Sequence, residues 1–235
     1  MNRPIHSFQE AERLAKRRLP KAIYDAIACG AGQEITLRDN LQAFQEIGFR
    51  PRAAVQHSSY DLHTSVLGHE ISLPVMIAPT GSMRMFHTSA EPAVAKAAGR
   101  AGTLQVVSCF MGYPVEEVVE AAQGPVFFDL YFAGGRDNVE VMLNRARKAG
   151  CQALVITVDM TGGHASERAG RATPLVGSNW RTAVRFAPQL LTKPAWTFDF
   201  IRDGMRLDCP MWIKPNGRAA SFGEMSTSIL REWPT

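Results

Sequence analysis

Short apolar runs alternate along this chain with longer stretches in which apolar residues return every three or four positions. The runs are "VMIA" (75–78), "LQVVS" (104–108), "VFFDLY" (126–131) and "ALVITVD" (153–159). They are brief and almost unbroken, as expected of strands buried on both faces. Between them lie "EPAVAKAAGRAG" (91–102), "PVEEVVEAAQG" (114–124) and "DNVEVMLNRARKAG" (137–150). The second reads as a helix with proline at its start and a stop glycine at its end; the third sets Val139, Met142, Leu143 and Ala146 on one face. Strand starts at 75, 104, 126 and 153 are 29, 22 and 27 residues apart, the period of βα units in a parallel sheet. Right-handed crossovers would bring all four carboxyl ends to one rim. The predicted class is α/β: the N-terminal half of a (β/α)8 barrel, preceded by short helices and a small hairpin.

Ahead of this rhythm, Ser7-Phe-Gln-Glu10 has the form of a capping box, Pro20 suits a first helical turn, and Gly30 can stop a second helix. Thr36-Leu-Arg-Asp39 opens a third helix with Leu41, Phe44 and Ile47 on one face. "TSVLGHEIS" (64–72) predicts a hairpin turning at Gly68. After Asp159 a long glycine-rich polar stretch suggests a loop over the rim, and "TAVRFAPQLLTKPAWTFDFIRDGM" predicts two helices split near Pro194. "CPMWIKP" is the only candidate fifth strand, and its two prolines argue against a buried one. The expected organisation is one incomplete domain over 1–235. It comprises helices and hairpin (1–73), four βα units (74–159), and a loop with a helical tail (160–235).

Composition narrows the class. With 46% hydrophobic and 20% charged residues the chain is ordinary globular material. It has no apolar run near the roughly 18 residues of a membrane span and no signal-peptide core at its start, so a cytoplasmic protein is expected. Four separated cysteines signal neither a zinc site nor a disulfide framework. The net charge of +4 is spread out, and "KRR" (16–18) reads as a solvated helix face, so no nucleic-acid partner is expected.

The strand ends carry Pro79-Thr80-Gly81, Ser108-Cys109-Phe110, Asp129-Leu130-Tyr131 and Thr157-Val158-Asp159. They offer hydroxyls, amides and a phenol, with no metal-ligand cluster. Such a rim suits hydrogen bonding to a flat polar heterocycle. Cys109 reads as an apolar filler, since no histidine neighbours it in sequence. From the residues alone this is a ligand-binding α/β sheet.

"LPKAIYDAIACGA", "ITLRDNLQAFQEIGFRPRA", "TSVLGHEISLPVMIAPTG", "AGTLQVVSC", "FFDLY" and "ALVITVD" together resemble the FMN-dependent 2-hydroxy-acid oxidases and dehydrogenases. "RRLPK", "GGRD" and "RFAPQ…KPAW…F" are most similar to the subgroup that includes the flavoenzyme of mycofactocin maturation. The resemblance implies FMN as cofactor, with Pro79, Thr80 and Gly81 against the flavin and Ser108, Asp129 and Thr157 at its ring edge. It implies Tyr131 as the catalytic, substrate-orienting phenol and Arg168 as a carboxylate contact. The implied partner is a small 2-hydroxy acid, the reaction is hydride transfer from its α-carbon to flavin N5, and the complete form is a homo-oligomer.

Three departures qualify this. Asp129 stands where the family has glutamine; an ionised carboxylate only accepts, so it suits a ring N–H and not a carbonyl. Ala26 stands where many members place a substrate-binding tyrosine. None of the six histidines lies in the family's base motif, and its flavin-facing lysine and late phosphate site are missing. Lys214 reads as a loop lysine. Two alternatives therefore stay open: an oxidase of a peptide-derived substrate, and an inactive remnant that only binds.

Overall fold

The computed structural model describes residues 4–56, 58–158, 180–214, 216–221 and 223–225. Asp159 and Arg168 lie outside them. The chain opens with α1 (Phe8–Arg18), α2 (Lys21–Ala28) and α3 (Ile35–Glu46). Ser7 caps α1, its hydroxyl accepting from Glu10 N at 3.1 Å. Glu10 reaches back to His6 N, one residue before the expected partner. Gly30 is not a left-handed helix stop, because Cys29 already closes α2 in extended conformation. Leu41, Phe44 and Ile47 share a face as expected, but that face is bare: α3 buries no residue.

Strands β1 (Thr64–Val66) and β2 (His69–Ile71) form the antiparallel hairpin turning at Gly68, whose φ is 81°. A single 3-10 turn at Met83–Met85 leads to α4 (Ala90–Arg100). Then β3 (Gln105–Ser108), α5 (Val115–Ala121), β4 (Val126–Tyr131), α6 (Gly135–Ala149) and β5 (Ala153–Thr157) follow in strict alternation. β4 is central and parallel to both neighbours, giving the order β3-β4-β5. The expected strand at 75–78 is reduced to one parallel bridge, Ile77 to Gln105, on the free side of β3. Val75 and Met76 are exposed, contrary to a strand buried on both faces. No further strand pairs with this segment among the described residues, so nothing holds its second edge.

The sheet packs on both sides. Val107, Val126, Phe128 and Leu130 face α5 and α6, meeting Val115, Val118 and Met142. Phe127 faces the other way, onto Ile71, Leu104 and Val106. The hairpin thus plugs the base of the sheet. On β5 the covering is one-sided, and Leu154 and Ile156 are exposed.

Helices α7 (Trp180–Leu191) and α8 (Pro194–Arg202) divide at Pro194 as expected. "CPMWIKP" departs from expectation. β6 (Asp208–Ile213) is a strand with four consecutive buried residues, paired antiparallel to β7 (Ala219–Ser221) in a separate sheet. Because its partner is a short antiparallel strand and not β5, Pro210 is tolerated at an irregular register.

Gly124 was the expected stop for α5, but Ala122 already closes that helix. The glycine serves instead where two backbones touch. A Cβ on Gly99 would lie 2.3 Å from the Gln123 carbonyl carbon, and one on Gly124 2.8 Å from the Thr103 oxygen. Gly99→Ala should therefore force α4 away from the turn before β4, destabilising the chain by about 1–3 kcal/mol. Denaturant unfolding measures this, and an unchanged midpoint would contradict the contact.

Candidate functional site

Parallel register places the strand-end residues side by side. Ser108 is opposite Asp129, and Tyr131 is opposite Thr157. Thr157 Oγ1 donates to Asp129 Oδ1 at 2.7 Å, so its hydrogen is committed and its oxygen remains available only as an acceptor. Asp129 is 1% exposed and Ser108 3%. The Ser108 hydroxyl oxygen accepts from Phe110 N at 3.2 Å, which leaves its hydrogen for another acceptor.

The Pro-Thr-Gly turn joins this group. A Cβ on Gly81 would meet Phe110 Cβ at 3.0 Å and Ser108 Oγ at 3.8 Å, and Ser82 N donates to the Phe110 carbonyl at 2.8 Å. Tyr131 packs its ring on Phe110, centroids 4.8 Å apart, and Phe110 stacks in turn near Trp212 of β6 at 6.3 Å. The rim therefore holds one free hydroxyl donor, a carboxylate acceptor, a threonine acceptor and a half-buried phenol. A flavin's ring edge alternates carbonyls with an N–H, and a hydroxyl donor beside a carboxylate acceptor is a chemical set that such an edge can take. Gly81, Ser108, Asp129, Tyr131 and Thr157 thus sit on one rim, and the exposed Pro79 and Thr80 directly precede Gly81 in the chain.

Other residues with chemistry lie elsewhere. Cys109 is 1% exposed, and burial pushes its thiol up to about 12, which makes it inert. Lys214 donates to Glu224 Oε1 at 2.6 Å beyond the end of β6. Among the described residues no group of His, Cys, Asp and Glu could hold a metal ion, and no helix is long and apolar enough to cross a membrane.

One buried network went unseen in the sequence. Arg84, 7% exposed, grips Asp203 at the end of α8 with two bonds, Nε to Oδ2 at 2.7 Å and Nη2 to Oδ1 at 2.8 Å. Its Nη1 donates to the Gly112 carbonyl, and its guanidinium lies 4.2 Å from the Tyr113 ring centre. Glu91, fully buried, accepts from Gly112 N and Met83 N. Arg84 is three residues from Gly81, so the network anchors the rim turn to α8. No local signal in "SMRMF" announces a partner 119 residues away.

The parallel sheet, its helices and this rim define an α/β flavoprotein fold in which no barrel closes among the described residues. The chain matches the FMN-dependent dehydrogenase family over residues 15–230 and belongs to that family. It is 40% identical to pre-mycofactocin synthase of Mycobacterium tuberculosis over 224 residues, 95% of this chain and 55% of that protein. It is 43% identical to glycolate oxidase 1 of Oryza sativa subsp. japonica over 155 residues, 66% of this chain and 42% of that protein. The crystal structure of (S)-mandelate dehydrogenase, a monotopic membrane protein, superposes with a TM-score of 0.85 at 26% identity, covering 99% of this chain and 61% of that one. The chain spans about half the length of the curated relatives it matches.

Asp203 is held below its ordinary value of 3.8 chiefly by the hydrogen bonds from Arg84. A depressed carboxylate contributes stability that is complete above the unfolded value and lost as pH falls through the folded one. Glu91 is shifted up, chiefly by burial, and acts in the opposite sense. Comparing wild type with Asp203→Asn cancels the Glu91 contribution. The variant should be less stable by about 3 kcal/mol near neutrality, because Arg84 is left buried and unpaired. The gap should close below pH 3.8 in denaturant titrations.

Proposed function

We propose that this chain forms the flavin-edge and substrate-orienting half of an FMN-dependent oxidoreductase acting on a 2-hydroxy acid. The observation that carries the reading is the gathering of Gly81, Ser108, Asp129, Tyr131 and Thr157 at one carboxyl rim. In this reading the backbone of Pro79, Thr80 and Gly81 backs the flavin ring. Ser108 donates to a ring carbonyl, while Asp129, steadied by Thr157, accepts from the ring N–H. Bound FMN supplies the acceptor for a hydride leaving the substrate α-carbon. Tyr131 holds the substrate through its hydroxyl, and Arg168 meets its carboxylate.

The base that takes the hydroxyl proton and the phosphate site belong to the part of the fold this chain does not span. Alone, the chain holds FMN weakly and turns over no hydroxy acid. General-base help is worth about 10²–10⁴ in rate, so a rim without its base is a poor catalyst. A cytoplasmic setting and assembly into homo-oligomers go with this reading.

A second reading concerns the substrate. Ala26 is exposed on α2 and provides no phenol for a carboxylate, and the chain shares 40% identity with pre-mycofactocin synthase. Both favour a larger, peptide-derived substrate over a simple hydroxy acid.

The test is anaerobic bleaching of bound flavin in a polypeptide that completes the fold, offered aliphatic, aromatic and peptide-derived substrates in turn. Bleaching by none of them would leave a binding protein in place of an enzyme. In that polypeptide Tyr131→Phe should lower kcat/KM by about 10–100-fold while FMN affinity stays unchanged, as a hydrogen bond to developing charge is worth about 1.5–3 kcal/mol. Lost flavin with unchanged turnover would assign the phenol to the cofactor instead.

A further inference from the structure

One buried carboxyl joins the rim turn to the loop beyond β3. Ser82 N, next to Gly81 in the chain, donates to the Phe110 carbonyl at 2.8 Å. Further along both segments, Met83 N and Gly112 N donate to the same atom, Glu91 Oε1, at 3.3 and 3.0 Å. Arg84 closes the junction from the other side of Gly112, its Nη1 donating to that carbonyl at 3.2 Å. Gly112 leaves no slack, since a Cβ there would lie 2.5 Å from Arg84 Cβ. Glu91 stands in the first turn of α4 and is fully buried.

The second oxygen decides the protonation state. Glu91 Oε2 is buried and has no hydrogen-bond partner among the described residues. An ionised carboxylate would leave that oxygen desolvated and without a donor. The surrounding groups do not compensate for such a charge. Burial pushes the Tyr113 phenol up and the Cys209 thiol up to about 12, so both stay neutral. Among the described residues Arg84 is the cation that acts on Glu91, and its guanidinium is already matched by two bonds to Asp203. With Glu91 ionised, the cluster would hold one positive and two negative charges, leaving a buried charge unpaired. The positive end of α4 favours the ionised form, but a helix terminus supplies only about half a unit charge. Burial is also the chief cause that shifts Glu91 up from its ordinary 4.5.

We propose that Glu91 is a positioning residue of the rim: held as a neutral acid, it accepts from Met83 and Gly112 at once and fixes the Gly81 turn against Ser108 and Phe110. The consequence for FMN rests on the flavin reading above, because the backbone behind the ring and the Ser108 hydroxyl keep their spacing only while this junction is closed. The junction itself needs only the chain. Amide hydrogen exchange tests it. An amide offers the same acceptor and a donor where the neutral acid has its O–H, so Glu91→Gln should keep exchange slow at Met83 and Gly112. Glu91→Leu removes the acceptor and should speed those two amides by about tenfold or more beyond any change in the amides of β4. An acid raised on folding loses its contribution as pH rises through the folded value. The denaturation midpoint of Glu91→Gln should therefore rise relative to wild type as pH climbs above 4.5. In a polypeptide that completes the fold, Glu91→Leu should weaken FMN binding by about tenfold, and Glu91→Gln should leave it unchanged. If the exchange pattern is as expected and the completed wild type takes up no FMN, the flavin reading fails while the junction stands. Three results would each overturn the proposal. One is exchange at Met83 and Gly112 that Glu91→Leu changes no more than it changes β4. Another is FMN affinity indifferent to Glu91→Leu. The third is a Glu91→Gln chain that loosens these amides or falls behind wild type as pH climbs, which would make Glu91 a charged partner of Arg84; this variant decides alone if the leucine variant does not fold.

Discussion

β4 pairs in parallel with two neighbours at once, and the side-by-side placement of Ser108, Asp129, Tyr131 and Thr157 follows from that pairing. With Asp129 in register with both Ser108 and Val155, side chains from three strands emerge on one face at one height. Thr157 can reach Asp129 only because β5 continues two residues past that level. The alternation within β4 does the rest. Val126, Phe128 and Leu130 are committed to the helices, so Phe127, Asp129 and Tyr131 must face the opposite side.

The rim turn is held by a different kind of force. Pro79–Gly81 follows a segment with a single bridge to β3, too little to fix a loop by itself. Contacts from outside the sheet supply the missing constraint. Gly81 presses on Phe110, Ser82 donates to its carbonyl, and Arg84 is clamped by Asp203 from α8. A buried, bidentate ion pair contributes little net stability relative to an apolar pair, yet strongly penalises any arrangement that separates its members. It therefore acts here as a register device, coupling the position of the rim turn to that of the C-terminal helices.

The described structure is also notable for where it stays open. The outer side of β5, the apolar side of α3 and the segment before Pro79 all expose large apolar side chains. These three lie around the parallel sheet or in the N-terminal helices, and they accord with a chain that spans about half the length of its relatives. The bare face of α7–α8, with Leu191, Phe198 and Ile201 exposed, differs from them. Its opposite side is already docked in a defined register.

Local pattern sufficed wherever a few consecutive residues decide the outcome. The capping serine, the Gly68 hairpin, the α6 face of Val139, Met142 and Ala146, the break at Pro194 and the strand ends at Ser108, Tyr131 and Thr157 were all legible, because each depends on periodicity or turn chemistry within about ten residues. The family signature in those same stretches pointed to the family that the chain matches. What the tertiary structure decided depends on distant partners. Two glycines expected to stop helices turned out otherwise: the stop is unneeded at Gly30, and Gly124 admits a neighbouring backbone. "CPMWIKP" became a buried strand because β7 and the aromatic rings of Phe110 and Tyr131 receive it. Arg84 is an ordinary surface residue by composition, and only a fold that brings residue 203 against it makes it buried. Burial is a property of the neighbours a residue acquires, and those neighbours are not encoded beside it.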